Sequence, residues 1–348
     1  MLNDIVKPLT EWYRQNKRSL PWRDRHNAYY TWVSEIMLQQ TRVEAVKTYF
    51  RRFTEELPDP AALAECPEEK LLKLWEGLGY YNRVRNMQIA AQTVVEEYDG
   101  VLPASYEKLL SLKGIGSYTA GAIASIAYDI PVPAVDGNVL RVITRIIEDD
   151  GDIMKQSVKK RIENKLQEIM PGEYPGDFNQ ALMELGAVVC VPNGEPKCDV
   201  CPVAFCCGAR AHGTIDRFPV KAQKKDRKLE DRTVLVIQDG EKTAIRRRPS
   251  RGLLAGLYEL PNLKGHLSEE EVLESVKAMD LEPLRIEALP EAKHIFSHIE
   301  WRMTAYRVRV SSLEEIRQND LLFVGKRQSD DQYAIPSAFS AYTKYIRE

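Results

Sequence analysis

The amino-acid sequence predicts a mainly α N-terminal domain over residues 1–220, a charged linker over 221–230, and an α+β C-terminal domain over 231–348. Three observations carry this reading. Apolar residues recur at helical spacing in successive stretches of the first part, and a dense cysteine loop closes that part. From Arg232 the pattern changes to short β-branched runs around an Asp-Gly turn. At 348 residues the chain is long enough for each domain to bury a core.

Composition narrows the function. The net charge is -2 with a pI of about 6.3, so any nucleic-acid surface must come from local clusters and backbone donors. The apolar runs are too short to span a bilayer, and Met1-Leu-Asn-Asp lacks a basic region leading into an apolar one. A cytoplasmic protein is expected. Five of the six cysteines fall between Cys190 and Cys207, which favours a metal site over a disulfide framework; Cys66 alone reads as a small core residue.

Residues 1–25, with Trp12, Tyr13 and Leu20-Pro-Trp-Arg23, read as an amphipathic segment and a turn. A helix follows over Thr31 to Val43, where Val33, Ile36, Met37 and Val43 keep roughly helical spacing and Glu35 lies beside the apolar pair. Alone, Glu35 is an ordinary helical glutamate. Gly77-Leu-Gly-Tyr80-Tyr interrupts the next helix with a turn, and Arg83 and Arg85 follow; aromatics beside arginines are packing and a solvated face, or a wedge and phosphate contacts on a duplex.

The centre of the chain is a hairpin followed by an acid. Leu109, Leu110 and Leu112 close one helical face, Gly114 and Gly116 allow a tight turn, and Ser117 to Ala127 resumes at helical spacing with small residues. Backbone N–H groups left uncovered at such a turn receive a phosphate. Pro131 and Pro133 then force an extended segment that delivers Asp136 to the entrance of the helix Val139 to Ile147. An Asp there is ordinarily an N-cap. With Glu35 it could form a different pair: a carboxylic acid of raised pKa to protonate a leaving group, and an anion to stabilise the cation left behind.

The cysteine loop, Cys190 through Cys198 and Cys201 to Cys206-Cys207, can hold zinc or a four-iron cluster, and spacing alone puts zinc first. Lys221, Lys224, Lys225, Arg227 and Lys228 make the following linker basic. In the C-terminal part, Thr233-Val-Leu-Val-Ile reads as a strand, Asp239-Gly as a hairpin turn, Thr243-Ala-Ile-Arg as its partner, and Glu269 to Met279 as a helix.

The order of Val33-Ser-Glu-Ile-Met-Leu-Gln-Gln-Thr, Gly77-Leu-Gly-Tyr-Tyr, the hairpin, Val135-Asp-Gly-Asn and the cysteine loop resembles that of MutY-type adenine DNA glycosylases, within the helix-hairpin-helix base-excision superfamily. The C-terminal part resembles the Nudix, or MutT-like, fold that ends those proteins. The resemblance implies an enzyme that removes adenine opposite 8-oxoguanine or guanine in duplex DNA, acting as a monomer. It implies that Glu35 protonates the flipped adenine and Asp136 stabilises the sugar cation, with Tyr118 and Asn138 in support. Arg23, Leu38 and Gln180 match adenine-pocket positions, and Gln40 (next to Gln39) and Tyr80 match residues that enter the base stack. Phe296-Ser297-His298 matches the loop that inspects 8-oxoguanine.

Two further implications concern chemistry. Endonuclease III lyases carry a Schiff-base lysine where this chain has Tyr118, so a glycosylase without efficient strand cleavage is expected. The family pattern of six, two and five residues between cysteines implies a [4Fe-4S] cluster on Cys190, Cys198, Cys201 and Cys207. This chain has one extra residue between Cys190 and Cys198, and Cys206 remains an alternative ligand beside Cys207. The run Glu269-Glu-Glu-Val-Leu-Glu lacks the Arg-Glu…Glu-Glu order of a magnesium-binding Nudix hydrolase, so this domain reads as a binding module.

Overall fold

A computed structural model describes residues 2–23, 27–222, 226–311 and 321–346. The linker residues Lys224 and Lys225 lie outside the described residues. The chain divides into two compact units, residues 1–66 with 85–223 and residues 67–84 with 224–348. Residues 67–84, read from sequence as part of the first domain, thus pack with the second.

The first unit is helical. Its core joins Leu9 and Tyr13 of the helix Val6–Asn16 to Val139, Val142 and Ile143 of Gly137–Ile147, and to Phe178, Leu182 and Leu185 of Pro175–Val188. These positions recur three or four apart, which puts them on one face of each helix. The hairpin forms as expected: helix Tyr106–Ser111 is capped by Ser105, Gly114 takes φ +79, and helix Ser117–Tyr128 begins after Gly116. A Cβ on Gly114 would stand 2.7 Å from Cβ of Asn86 as well as in a left-handed conformation, so two constraints favour glycine. The helix expected over Thr31 to Val43 is two: Ala28–Leu38 ends before Gln39, Gln40 turns at φ +61, and Val43–Glu56 begins anew.

In the second unit a seven-stranded sheet runs β3 (Tyr258–Glu259), β2 (Lys242–Arg247), β1 (Lys228–Asp239), β6 (Ile299–Val310), β5 (Pro283–Ile295), with β4 (Asn262–Lys264) on β1 and β7 (Leu321–Val324) on β2. The Asp-Gly hairpin is present, pairing Gln238 with Thr243 and Asp239 with Lys242. β1 and β6 are parallel, and both faces of the sheet are covered. Val234 and Val236 join Trp301, Met303, Phe339 and Tyr342 on one side. Leu235 and Ile237 meet Val272 and Val276 of the helix Glu269–Lys277 on the other. The period of two along β1 accounts for the split. Ser268 and Glu271 close that helix's N-terminus with a reciprocal capping box.

Candidate active site

The first unit contains a cavity of about 630 Å³ whose wall includes Arg23, Glu35, Leu38, Gln39, Gln40, Tyr118, Asp136, Asn138 and Gln180. Residues far apart in sequence are brought together because the helices Ala28–Leu38, Ser117–Tyr128 and Pro175–Val188 contribute side chains to it and Gly137–Ile147 contributes its N-terminal end.

Glu35 is only 6 % exposed, and burial pushes its carboxyl up to about 7, against the stabilising hydrogen bond that Tyr118 donates to Oε2. The Asp136 charge adds to the rise and Arg23 opposes it. Near neutral pH this carboxyl can therefore hold or release a proton.

Asp136 does what an Asp at a helix entrance ordinarily does: Oδ1 accepts from the Val139 N–H at 2.7 Å. Its other oxygen accepts from Asn138 Nδ2 at 2.7 Å. Burial raises its pKa, while these two donors and the Arg141 charge favour the carboxylate. Asp136 is half-buried and borders the cavity. Asn138 is itself held, because Arg141 Nη2 donates to its Oδ1 at 2.8 Å. The neighbouring helix approaches closely here; a Cβ on Gly186 would stand 2.6 Å from Cβ of Asn138.

Gly114 and Gly116 lie on the hairpin and are not among the residues of the cavity wall. In the second unit, the segment Phe296-Ser297-His298 is the connection between β5 and β6, with Ser297 and His298 exposed. Phe296 packs edge-on against Trp301 at 4.9 Å between centroids. Ser297 Oγ and the Tyr80 hydroxyl, both of this unit, are 2.9 Å apart. Tyr80 stands at φ +47 and is 49 % exposed. Arg83 lies 5.3 Å from the Trp75 ring centre and 5.6 Å from that of Tyr80, and donates to the carbonyls of Leu78 and Gly79. It fixes the turn.

Cys190, Cys198, Cys201 and Cys207 line one small cavity, and Cys206 is not on its wall. The Cys206 thiol donates instead to the Val203 carbonyl at 3.4 Å. Arg145 Nη1 donates to Cys190 Sγ at 3.2 Å. Burial pushes the Cys201 thiol up to about 12.

Sequence reasoning missed Arg18, Lys159 and Glu184 on the wall of the larger cavity. Glu184 is four residues from Gln180, one helical turn, which was the available signal.

Comparison with known proteins follows the same division. Residues 33–171 match the HhH-GPD superfamily of base excision DNA repair proteins, and residues 233–345 match the NUDIX domain. The chain is 36% identical to the adenine DNA glycosylase of Mus musculus, over 86% of this chain and 69% of the mouse protein. It is 31% identical to that of Buchnera aphidicola (subsp. Acyrthosiphon pisum), over 87% of this chain and 86% of the relative. Among solved structures, a thermostable thymine-DNA glycosylase aligns with a TM-score of 0.54 at 25% identity, covering 60% of this chain and 96% of that one. Endonuclease III trapped on DNA aligns at 0.52 and 23% identity, covering 61% and 96%, which speaks to the fold alone. Among the described residues no helix is long and apolar enough to cross a membrane.

Proposed function

The chain belongs to the family of adenine DNA glycosylases, N-glycosyl hydrolases of base-excision repair, and on that premise we propose that it excises adenine opposite 8-oxoguanine or guanine from duplex DNA. One observation carries the proposal: Glu35, raised to about 7, and the doubly hydrogen-bonded Asp136 border the same cavity. Burial raises both carboxyls, and the two donors and the Arg141 charge at Asp136 oppose the rise there, which suits Glu35 to the acid role and Asp136 to the anion.

The reaction begins with adenine turned out of the duplex into the pocket, walled by Arg23, Leu38, Gln39 and Gln180. Gln40 and Tyr80, each on a left-handed turn, support the opened stack, and backbone donors at Gly114 and Gly116 hold a phosphate. Glu35 gives its proton to N7 of adenine. The C1′–N9 bond then breaks with its electron pair leaving on the base. Asp136 stabilises the sugar cation, positioned by the Val139 N–H and by Asn138. Water adds to C1′ as the Glu35 carboxylate takes its proton, which leaves an abasic site and restores the acid. Tyr118 holds Glu35 and offers no amine for an imine, so strand cleavage is inefficient. Phe296, Ser297 and His298 inspect the base opposite, and a single chain supplies every group named.

The cofactor that accords with this family is a [4Fe-4S] cluster held by Cys190, Cys198, Cys201 and Cys207. Their shared cavity supports it, with Cys206 aimed elsewhere. When bound, the cluster ties the loop together and supplies the cationic charge that thiolates buried there require.

The test is a single-turnover assay on a duplex with one adenine opposite 8-oxoguanine, with aliquots treated with alkali or left alone. Strand breaks only after alkali are expected. Breaks without alkali would overturn the monofunctional mechanism, and intact DNA after alkali would overturn excision itself.

A further inference from the structure

Glu184 is a carboxylate on the pocket wall with no part in the chemistry described above. Its side chain is 0% exposed, and two guanidiniums close on it. Arg18 donates from Nε to Oε1 at 2.6 Å and from Nη2 to Oε2 at 3.1 Å, and its backbone N–H reaches Oε1 at 3.2 Å. Arg23 donates from Nη2 to Oε2 at 2.7 Å and from Nη1 to the Arg18 carbonyl at 3.1 Å, with its guanidinium 5.4 Å from the Tyr13 ring centre. Arg23 is thus hydrogen-bonded both to Glu184 and to the Arg18 carbonyl, in a segment whose backbone N–H Glu184 also accepts.

We propose that Glu184 is a positioning residue for adenine excision: it fixes Arg23 in the pocket wall and offsets part of the cationic charge that Arg18 and Arg23 bring to the cavity containing Glu35. This rests on Glu35 being the acid. The groups that face Glu35 are Tyr118 from the hairpin's second helix, Asp136 from the helix entrance, and Arg23 from the segment before its own helix; Arg18, Lys159 and Glu184 complete the charged wall. Arg23 already draws the Glu35 carboxyl downward. With its counter-charge removed, that pull strengthens, and Glu35 loses its proton at a lower pH.

The experiment is the pH profile of single-turnover adenine excision by the full chain, for wild type, Glu184→Gln and Glu184→Asp. Glu184→Gln keeps size and a hydrogen-bond acceptor but removes the charge; its alkaline limb should move down by about one unit, a rate about tenfold lower at pH 8 with a smaller loss at pH 5.5. Glu184→Asp keeps the charge and shortens the reach, so its limb should stay at the wild-type pH while the plateau falls. A merely structural glutamate would lower the rate equally at every pH in both variants, and that result overturns the proposal. Should Glu184→Gln fail to fold, the pair Arg23→Gln/Glu184→Gln removes both the carboxylate and the cation that acts on Glu35. Its limb is expected at or above the wild-type pH, and a downward displacement refutes the argument. Glu35→Gln is run alongside: excision by that variant sinks the acid assignment, whereas an inactive Glu35→Gln with an unmoved Glu184→Gln limb sinks only this inference.

Discussion

A catalyst that keeps a carboxyl buried weakens its own fold, and Glu35 offers a direct measure of how much. Its carboxyl stands at about 7 in the folded protein against an ordinary value of 4.5. The folded state therefore binds this proton more tightly than the unfolded chain does, so stability falls as pH rises from about 4.5 and levels off above about 7. A displacement of that size corresponds to roughly 3 kcal/mol at pH 8 and about 1 kcal/mol at pH 5. Glu35→Gln cannot ionise, and its side-chain carbonyl can still accept the Tyr118 hydroxyl. The variant should lose excision, retain binding to an adenine:8-oxoguanine duplex, and gain more stability at pH 8 than at pH 5 by about 2 kcal/mol. For a unit of this size that difference is about 4–8 °C in the midpoint of thermal unfolding. The assay is circular dichroism melting of both proteins at the two pH values. Equal midpoint differences at pH 5 and pH 8 would refute the account of Glu35 as a carboxyl strained by burial, whatever the activity of the variant.

Asp136→Asn separates capping from chemistry: asparagine caps as well as aspartate, so thermal stability should fall by less than about 1 kcal/mol while single-turnover excision drops by about a thousandfold or more, and parallel losses would contradict the anionic role. Cys207→Ser should lose most of its bound iron on reconstitution, and Cys206→Ser should keep it; iron content per chain decides between the two. Borohydride added during turnover should trap no efficient covalent protein–DNA product, and near-stoichiometric trapping would require an amine nucleophile in this pocket. Ser297→Ala should lower the preference for adenine opposite 8-oxoguanine over adenine opposite guanine by about five- to tenfold, scored as the ratio of the two excision rates, with an unchanged ratio removing Ser297 from recognition.

The parts of the fold set by local rules could be read from the residues. Gly114 and Gly116 mark the hairpin, small residues mark the helix after it, and Asp136 after two prolines marks the next helix entrance, because each answers a backbone requirement within a few positions. The break at Gln39–Gln40 carries no glycine or proline, and Gln40 takes φ +61 without a sequence signal, so one continuous helix was the natural reading. β5 and β6 were harder still. Much of β5 is exposed, and the parallel pairing of β1 with β6 joins Val234 to Ala305 across a long separation that no local pattern encodes. The clasp of Glu184 by Arg18 and Arg23 belongs to the same class, since the partners are separated by 166 and 161 residues.

The two carboxyls of the site differ in how the fold treats their charge, and that difference is already contained in ordinary structural needs. A helix start leaves N–H groups without partners, so a carboxylate at Asp136 satisfies the backbone of Val139 and is kept available as an anion by the same bond. Glu35 lies inside a helix, where the N–H groups are already spent on helical hydrogen bonds, and its environment supplies one hydroxyl against extensive desolvation. Burial thus opposes ionisation at both positions, and at Asp136 the Val139 N–H, Asn138 and the Arg141 charge push back against it, where Glu35 has the Tyr118 hydroxyl and Arg23. Placing an acid in mid-helix and its anionic partner at a helix entrance divides the labour of glycosylic cleavage before any specialised interaction is added, and Tyr118 and Asn138 then refine positions that the backbone has chosen.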